Sequence, residues 1–348
     1  MERYLDNCLK SLLISEGLDQ VEVLIINDGS RDSSSDIAKY YIEQYPNVFS
    51  LIEKENGNYG SCINRGIKEA SGKYIKILDA DDSFDTDSFS KFLHFLNGTD
   101  ADLIISSFWI VNSEGEMIKR IDYKFKNGIT MPFSNVCSTE LFRNNIQMHA
   151  VTYRLSILRD LNYRQTEGIS YTDQQWICIP MIGIKTVAFI DEPVYKYLVG
   201  RDGQTMDLSV KARSIGQIAK CSIGMIQMYE SYKPSRCDSN LLVYLHARIL
   251  YYAKEVYVSC FSRYDKETKD ILNDYDSRFK EASPELYSKI ESKETTSIAG
   301  IPYLKLWRNN RTMSSFAIGI ASSVYLHILK MKRKFSMTND SMSMTHGN

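Results

Sequence analysis

Strand and helix signals alternate through the first hundred or so residues, and each apolar strand there runs into a turn rich in Asp, Asn or Gly. That alternation is the pace of an α/β fold. Leu5, Leu9, Leu12 and Leu13 mark one face of an opening helix. Residues 21–26 (Val-Glu-Val-Leu-Ile-Ile) read as a buried strand ended by Asn27-Asp28-Gly29-Ser30, and Asp32 to Ser35 offer caps for the helix that follows. Residues 48–52 form a second strand and 61–70 a helix. A third strand, 74–78, stops at Asp79-Ala80-Asp81-Asp82. A helix over 87–96 and a strand over 103–111 continue the pattern.

The rhythm changes near Asn112. Glu114-Gly115 and Asn127-Gly128 are turn signals around short extended pieces, and 187–197 reads as a strand or loop. Beyond Asp207 the chain is mostly helical and rich in tyrosine. We expect a catalytic domain over 1–206, a mainly helical region over 207–335 and a polar flexible tail over 336–348. Residues 316–329 are a largely apolar run of 14 followed by Lys330, Lys332, Arg333 and Lys334. A bilayer span takes roughly 20 residues, so this run is too short to cross. It reads either as a helix packed on the protein or as a peripheral contact with anionic headgroups.

Charge and cysteine usage narrow the function classes. With 42 basic and 43 acidic residues the net charge is −1, which gives no field for nucleic acid. The seven cysteines are dispersed with no CxxC pair, as in a reducing compartment, and residues 1–6 lack a signal peptide's apolar stretch. The expected location is cytoplasmic, with the inner face of the cell membrane as the site of any peripheral contact.

Three clusters sit where α/β proteins bind ligands, at the carboxyl ends of strands. Asp28 follows the first strand; it suits a nucleotide base or ribose, or equally an Asx-turn. Asp79-Ala80-Asp81-Asp82 packs three carboxylates into four residues, a costly arrangement unless a cation or donors offset the repulsion. Hard oxygen ligands suit Mg2+ or Mn2+ bridging a diphosphate; the plain alternative is a polar turn capping the next helix. The third cluster runs from Glu55-Asn56-Gly57-Asn58-Tyr59-Gly60 into a helix whose N-terminus favours an anion, with Arg65 adding positive charge.

In order and spacing these pieces resemble the family 2 glycosyltransferases, over roughly residues 1–205. The resemblance implies a glycosyltransferase A-type fold, a Rossmann-like mixed sheet flanked by helices, and transfer of a sugar from a nucleotide donor to an acceptor hydroxyl. By the same resemblance Asp28, Asn58, Gly60, Arg65 and Asp79 line the donor site. Asp81, with Asp82 in support, takes the metal. The segment Gly168-Ile169-Ser170-Tyr171-Thr172-Asp173 looks like the one carrying the family's catalytic base, with Thr172 where a Glu is usual and Asp173 as the retained carboxylate. Arg201, in Gly200-Arg201-Asp202-Gly203, resembles the loop residue that neutralises the departing phosphate. His149 and Trp176 are candidates for the acceptor cleft, the Trp by stacking on a sugar face; both residue types are also ordinary core. UDP is the nucleotide that family habit implies, the acceptor a polysaccharide or lipid-linked glycan, and the displacement inverting. The family's first strand, which normally precedes the helix starting at Tyr4, is not in this sequence, so we expect the true start to lie upstream.

Two other enzyme readings fail on detail. Asp79-Ala80-Asp81-Asp82-Ser83 approaches the haloacid dehalogenase pattern, but it has Ser where Thr or Val belongs and is not on the first strand. A nicotinamide dehydrogenase needs a glycine fingerprint before Asp28, and there is none. A non-catalytic nucleotide-sugar-binding or scaffold protein stands as the alternative from another class.

Overall fold

The computed structural model describes residues 1–201, 214–233, 238–291 and 303–309; the run 316–334 and the tail therefore lie outside the described residues. The chain divides into two compact units, Met1–Lys211 with Gln227–Arg248, and Ala212–Ile226 with Ile249–Asn348.

The first unit opens with helix α1 (Glu2–Lys10), which buries Leu5, Cys8 and Leu9. Strand β1 (Val23–Asn27), helix α2 (Ser34–Gln44) and strand β2 (Phe49–Glu53) follow, then helix α3 (Asn58–Glu69). α3 starts three residues earlier than its hydrophobic pattern indicates, and its first residue, Asn58, has a left-handed φ of 63°. Next come β3 (Tyr74–Ile75), β4 (Ser83–Phe84), α4 (Thr86–Gly98), β5 (Leu103–Val111), β6 (Met117–Ile121), β7 (Thr130–Pro132), α5 (Glu140–Asn145), β8 (Val151–Arg154), α6 (Leu155–Asp160), α7 (Asp173–Cys178) and β9 (Thr186–Leu198).

A mixed seven-stranded sheet runs in the order β3-β8-β5-β9-β4, with β6 on β5 and β7 on β9. β5 is its centre, parallel to β9 and antiparallel to β8; Leu103, Ile104, Ile105 and Phe108 are buried, as a strand covered on both faces requires. β1 and β2 form a separate parallel pair, and β1 is half-buried along its length, not the buried strand expected from the apolar run. The strand expected over 74–78 shrinks to two residues. Only Tyr74 and Ile75 have ladder partners, Arg154 and Tyr153 of β8. Past them the Lys76 ammonium donates to the carbonyls of His149 (2.6 Å) and Val151 (3.4 Å), so a side chain takes over the cross-strand bonding.

The described residues of the second unit are mainly helical, in Ile215–Tyr232, Ser239–Arg263, Lys266–Ala282, Pro284–Lys289 and Tyr303–Asn309. Arg308 ties three of these together. It pairs with Asp276 at 2.9 Å, lies 3.5 Å from the Tyr287 ring centroid and donates to the Tyr257 hydroxyl at 2.8 Å. No helix among the described residues is long and apolar enough to cross a membrane.

Candidate active site

Residues 79–82 form a turn closed by the Asp82 amide donating to the Asp79 carbonyl at 3.0 Å. It is not a helix cap. That task falls to Asp85, whose carboxylate accepts from the Ser88 amide at 3.1 Å and pairs with Lys196 at 2.8 Å. Ligand oxygens of Asp79, Asp81 and Asp82 all lie within 4.8 Å of one another.

The three carboxylates differ in what holds them. Asp82 is buried, and both of its oxygens are engaged, by the Tyr195 hydroxyl at 2.5 Å and the Leu198 amide at 2.7 Å. Burial, reinforced by Asp79, pushes its pKa up to about 8. Asp79 accepts from the Tyr59 hydroxyl at 2.8 Å, and Asp81 from the Arg201 guanidinium at 2.6 Å. Desolvation raises Asp79 to about 6, with Asp81 and Asp173 adding to the rise against the Tyr59 bond. Asp79 and Asp81 each keep one oxygen without a hydrogen bond from the described residues. Two open carboxylate oxygens beside a third, fixed carboxylate fit a hard divalent cation that completes its shell with water and phosphate oxygens. Asp82 is the member least available to it, since its lone pairs already serve β9.

Asp28 lies beyond β1. One of its oxygens accepts from the Lys54 ammonium and from the Gly57 amide at 2.9 Å. Burial acts to raise its pKa, and these bonds outweigh it, leaving the carboxyl below the usual range. Lys54 also donates to the Glu55 carbonyl at 2.6 Å and Ser61 Oγ at 2.8 Å, so its three hydrogens are spent on shaping the loop before α3.

The start of α3 is clasped to the loop before α7. Gly168 N–H donates to the Gly57 carbonyl at 2.8 Å, Ser170 Oγ to Asn58 Oδ1 at 3.2 Å, and Asn64 bonds both ways with the Gln165 backbone. The fit is tight: a Cβ on Gly60 would come within 2.2 Å of the Thr166 carbonyl oxygen. The close approach that Gly60 permits is therefore to this loop. Asp173, first residue of α7, is held near enough that its charge raises Asp79. Gln174 Nε2 donates to Asp173 Oδ2 at 2.8 Å.

Three expected site residues have other partners. Arg65 pairs with Glu69 one turn along α3, at 2.8 Å. Trp176 is fully buried, edge-on to Tyr153 at 4.9 Å, and a ring with no exposed face cannot stack on a sugar. His149 is 7% exposed and sits behind the site, stacked on Tyr197 at 4.1 Å with Tyr195 at 4.9 Å. Lys54, Tyr59, Tyr195 and Tyr197 are the site residues that sequence reading missed. The alternation Tyr195-Lys196-Tyr197 at the end of an apolar strand was the available signal for two of them.

Burial, with Lys76 nearby, holds the His149 imidazole far down, at about 3 against an ordinary 6.5. Between those values the unfolded chain binds a proton that the folded protein refuses. The stability tied to this group is thus complete above pH 6.5 and falls as the pH drops, by about 2 kcal/mol at pH 5. His149→Phe keeps the stack and removes the titration. Its melting temperature is expected to fall less than the wild type's between pH 7 and 5; equal falls would mean the imidazole protonates in place.

Comparison with known proteins agrees with this geometry. Residues 2–152 match the model of glycosyl transferase family 2. The chain is 31% identical over 207 residues to the uncharacterized glycosyltransferase MG025 homolog of Mycoplasma pneumoniae, covering 58% of this chain and 66% of that one. It is 25% identical over 244 residues to the minor teichoic acid biosynthesis protein GgaB of Bacillus subtilis, covering 67% of this chain and 26% of GgaB. The chain thus spans less than two thirds of the length of either relative. Its fold is like that of S. aureus TarS residues 1–349, solved in complex with UDP: TM-score 0.62 at 15% identity, over 92% of this chain and 85% of that one. That likeness and the seven-stranded mixed sheet give the glycosyltransferase A-type architecture. Family match, fold and the acidic turn at the end of the β3 segment agree: residues 2–152 form a glycosyl transferase family 2 domain.

Proposed function

We propose that the chain moves a sugar from a UDP-linked donor to an acceptor hydroxyl, with a divalent cation at Asp79 and Asp81, in a single inverting displacement. The observation that carries this reading is the convergence of Asp79, Asp81 and Asp82 within 4.8 Å, with Asp173 close enough for its charge to act on Asp79. A bound Mg2+ or Mn2+ supplies charge neutralisation for the departing diphosphate. The chain's own residues do the rest. Asp28, pinned by Lys54, presents its second oxygen to the base or ribose. Arg201 stands beside Asp81 to meet phosphate charge, and Asp173 takes the acceptor proton. UDP as the nucleotide draws on the TarS complex, and an acceptor belonging to a surface polymer or lipid-linked glycan draws on the name of GgaB. A peripheral membrane contact through 316–334 belongs to the same proposal, tested by co-sedimentation with anionic vesicles.

The direct test is thermal stability with UDP, GDP or dTDP, each with and without Mn2+. The expected result is a rise with UDP that depends on the metal, followed by UDP release when donor and acceptor are supplied. Metal-dependent stabilisation without turnover across a donor and acceptor panel would favour the binding-protein alternative; no stabilisation by any nucleotide would remove both.

A further inference from the structure

We propose that Tyr197 is a specificity-determining residue that hydrogen-bonds the transferred sugar of the donor through its hydroxyl; the inference rests on the function proposed above. Tyr195 and Tyr197 are two apart on β9 and so share a face, and both rings contact His149. Their hydroxyls have different fates. Tyr195 is fully buried, and its hydroxyl is spent between Asp82 and the Asp79 amide, at 2.5 and 3.2 Å. Tyr197, one step further toward the end of the strand, is partly exposed, and none of the described residues hydrogen-bonds its hydroxyl.

The position of that hydroxyl is tightly constrained. The ring lies 26° from the plane of His149, which packs in turn on Phe108 at 5.3 Å. The next residue, Leu198, is fixed to Asp82 through its amide at 2.7 Å. A rigid aromatic with its hydroxyl unspent is a preorganised hydrogen-bonding group. Burial and then the charges of Asp82, Asp79, Asp81 and Asp173 push its pKa up to about 12. Tyr195, two residues back on the same face, bonds Asp82 and the Asp79 amide, and the next residue, Leu198, holds Asp82, so Tyr197 sits beside the acidic turn. What lies between a metal-bound diphosphate at 79–81 and a base at Asp173 is the group in transit. A hydroxyl beside the acidic turn, at the edge of that space, meets the sugar and not the nucleoside.

Tyr197→Phe removes the oxygen and leaves the stack. Calorimetry with Mn2+ measures UDP and UDP-hexoses against the variant. The expected result is UDP affinity within about twofold of wild type and a loss of about tenfold or more for the preferred UDP-hexose, the size seen when a buried polar site loses its partner. Deoxy-hexose donors give a second reading on the unmodified protein. One deoxy position should lose a similar factor, and that loss should not add to the variant's. Equal effects on UDP and UDP-hexose, no effect on either, or additive losses at every deoxy position would overturn the inference. A wild type that binds UDP but gains nothing from any sugar would overturn it while sparing nucleotide binding. A wild type that binds no UDP would instead sink the function on which it rests.

Discussion

Asp81→Ala is expected to lower kcat/KM for sugar transfer by about a thousandfold and to abolish Mn2+-dependent stabilisation by UDP. The estimate follows from the worth of a cation against a departing diphosphate, several kcal/mol, at about 1.4 kcal/mol per decade of rate. Asp81 is the position at which that loss should be cleanest. Asp82 is bound up with Tyr195 and Leu198, so its removal would disturb β9 as well as any metal. Asp79 holds Tyr59. The one hydrogen-bonded protein partner of Asp81 among the described residues is Arg201, with both side chains partly solvated, and an ion pair of that kind contributes at most about 1 kcal/mol. Removing one of three crowded carboxylates also relieves repulsion. The metal-free variant should therefore melt within a few degrees of wild type, which separates loss of the cation from loss of the fold. Asp81→Asn should behave alike, because a neutral amide is a poor partner for a hard cation. Retention of the metal-dependent UDP shift in both variants would show that the acidic turn does not hold the cation.

How much of this was legible before the structure depends on what kind of force placed each residue. The turn at 79–82 was legible because repulsion between adjacent carboxylates is a local property of the sequence, and a strand end tells where it points. The same holds for β5, whose apolar run survives unchanged as Leu103–Val111. Trp176 was misread because sharing roughly one side of a helix with Asp173 does not fix depth: in the six-residue α7 Trp176 is fully buried while Asp173, at the first position, stays partly exposed. Lys54 and Tyr59 were invisible for a different reason. Their partners, Asp28 and Asp79, are 26 and 20 residues away and meet them only when α3 packs across the strand ends. The shortened β3 belongs with these, since a strand is defined by its neighbours and residues 76–79 have no ladder partner among the described residues.

Asp173→Asn should lower kcat by about two to four orders of magnitude while leaving UDP affinity in Mn2+ and the melting temperature close to wild type. The amide keeps the size of the side chain and can still pair with Gln174, so what it removes is basicity. Asp173 opens α7, where the exposed amides of a first turn favour a negative charge; a purely structural role there would be worth about 0.3–1 kcal/mol and would show as lost stability with little change in turnover. The two roles therefore predict opposite patterns from one substitution. The residue before it sharpens the test. Thr172, where a second carboxylate would sit, is fully buried with its hydroxyl unpaired, so that position offers no acid to share the work. A variant that turns over at the wild-type rate, or that loses UDP affinity in proportion to its rate, would move the proton acceptor to another residue.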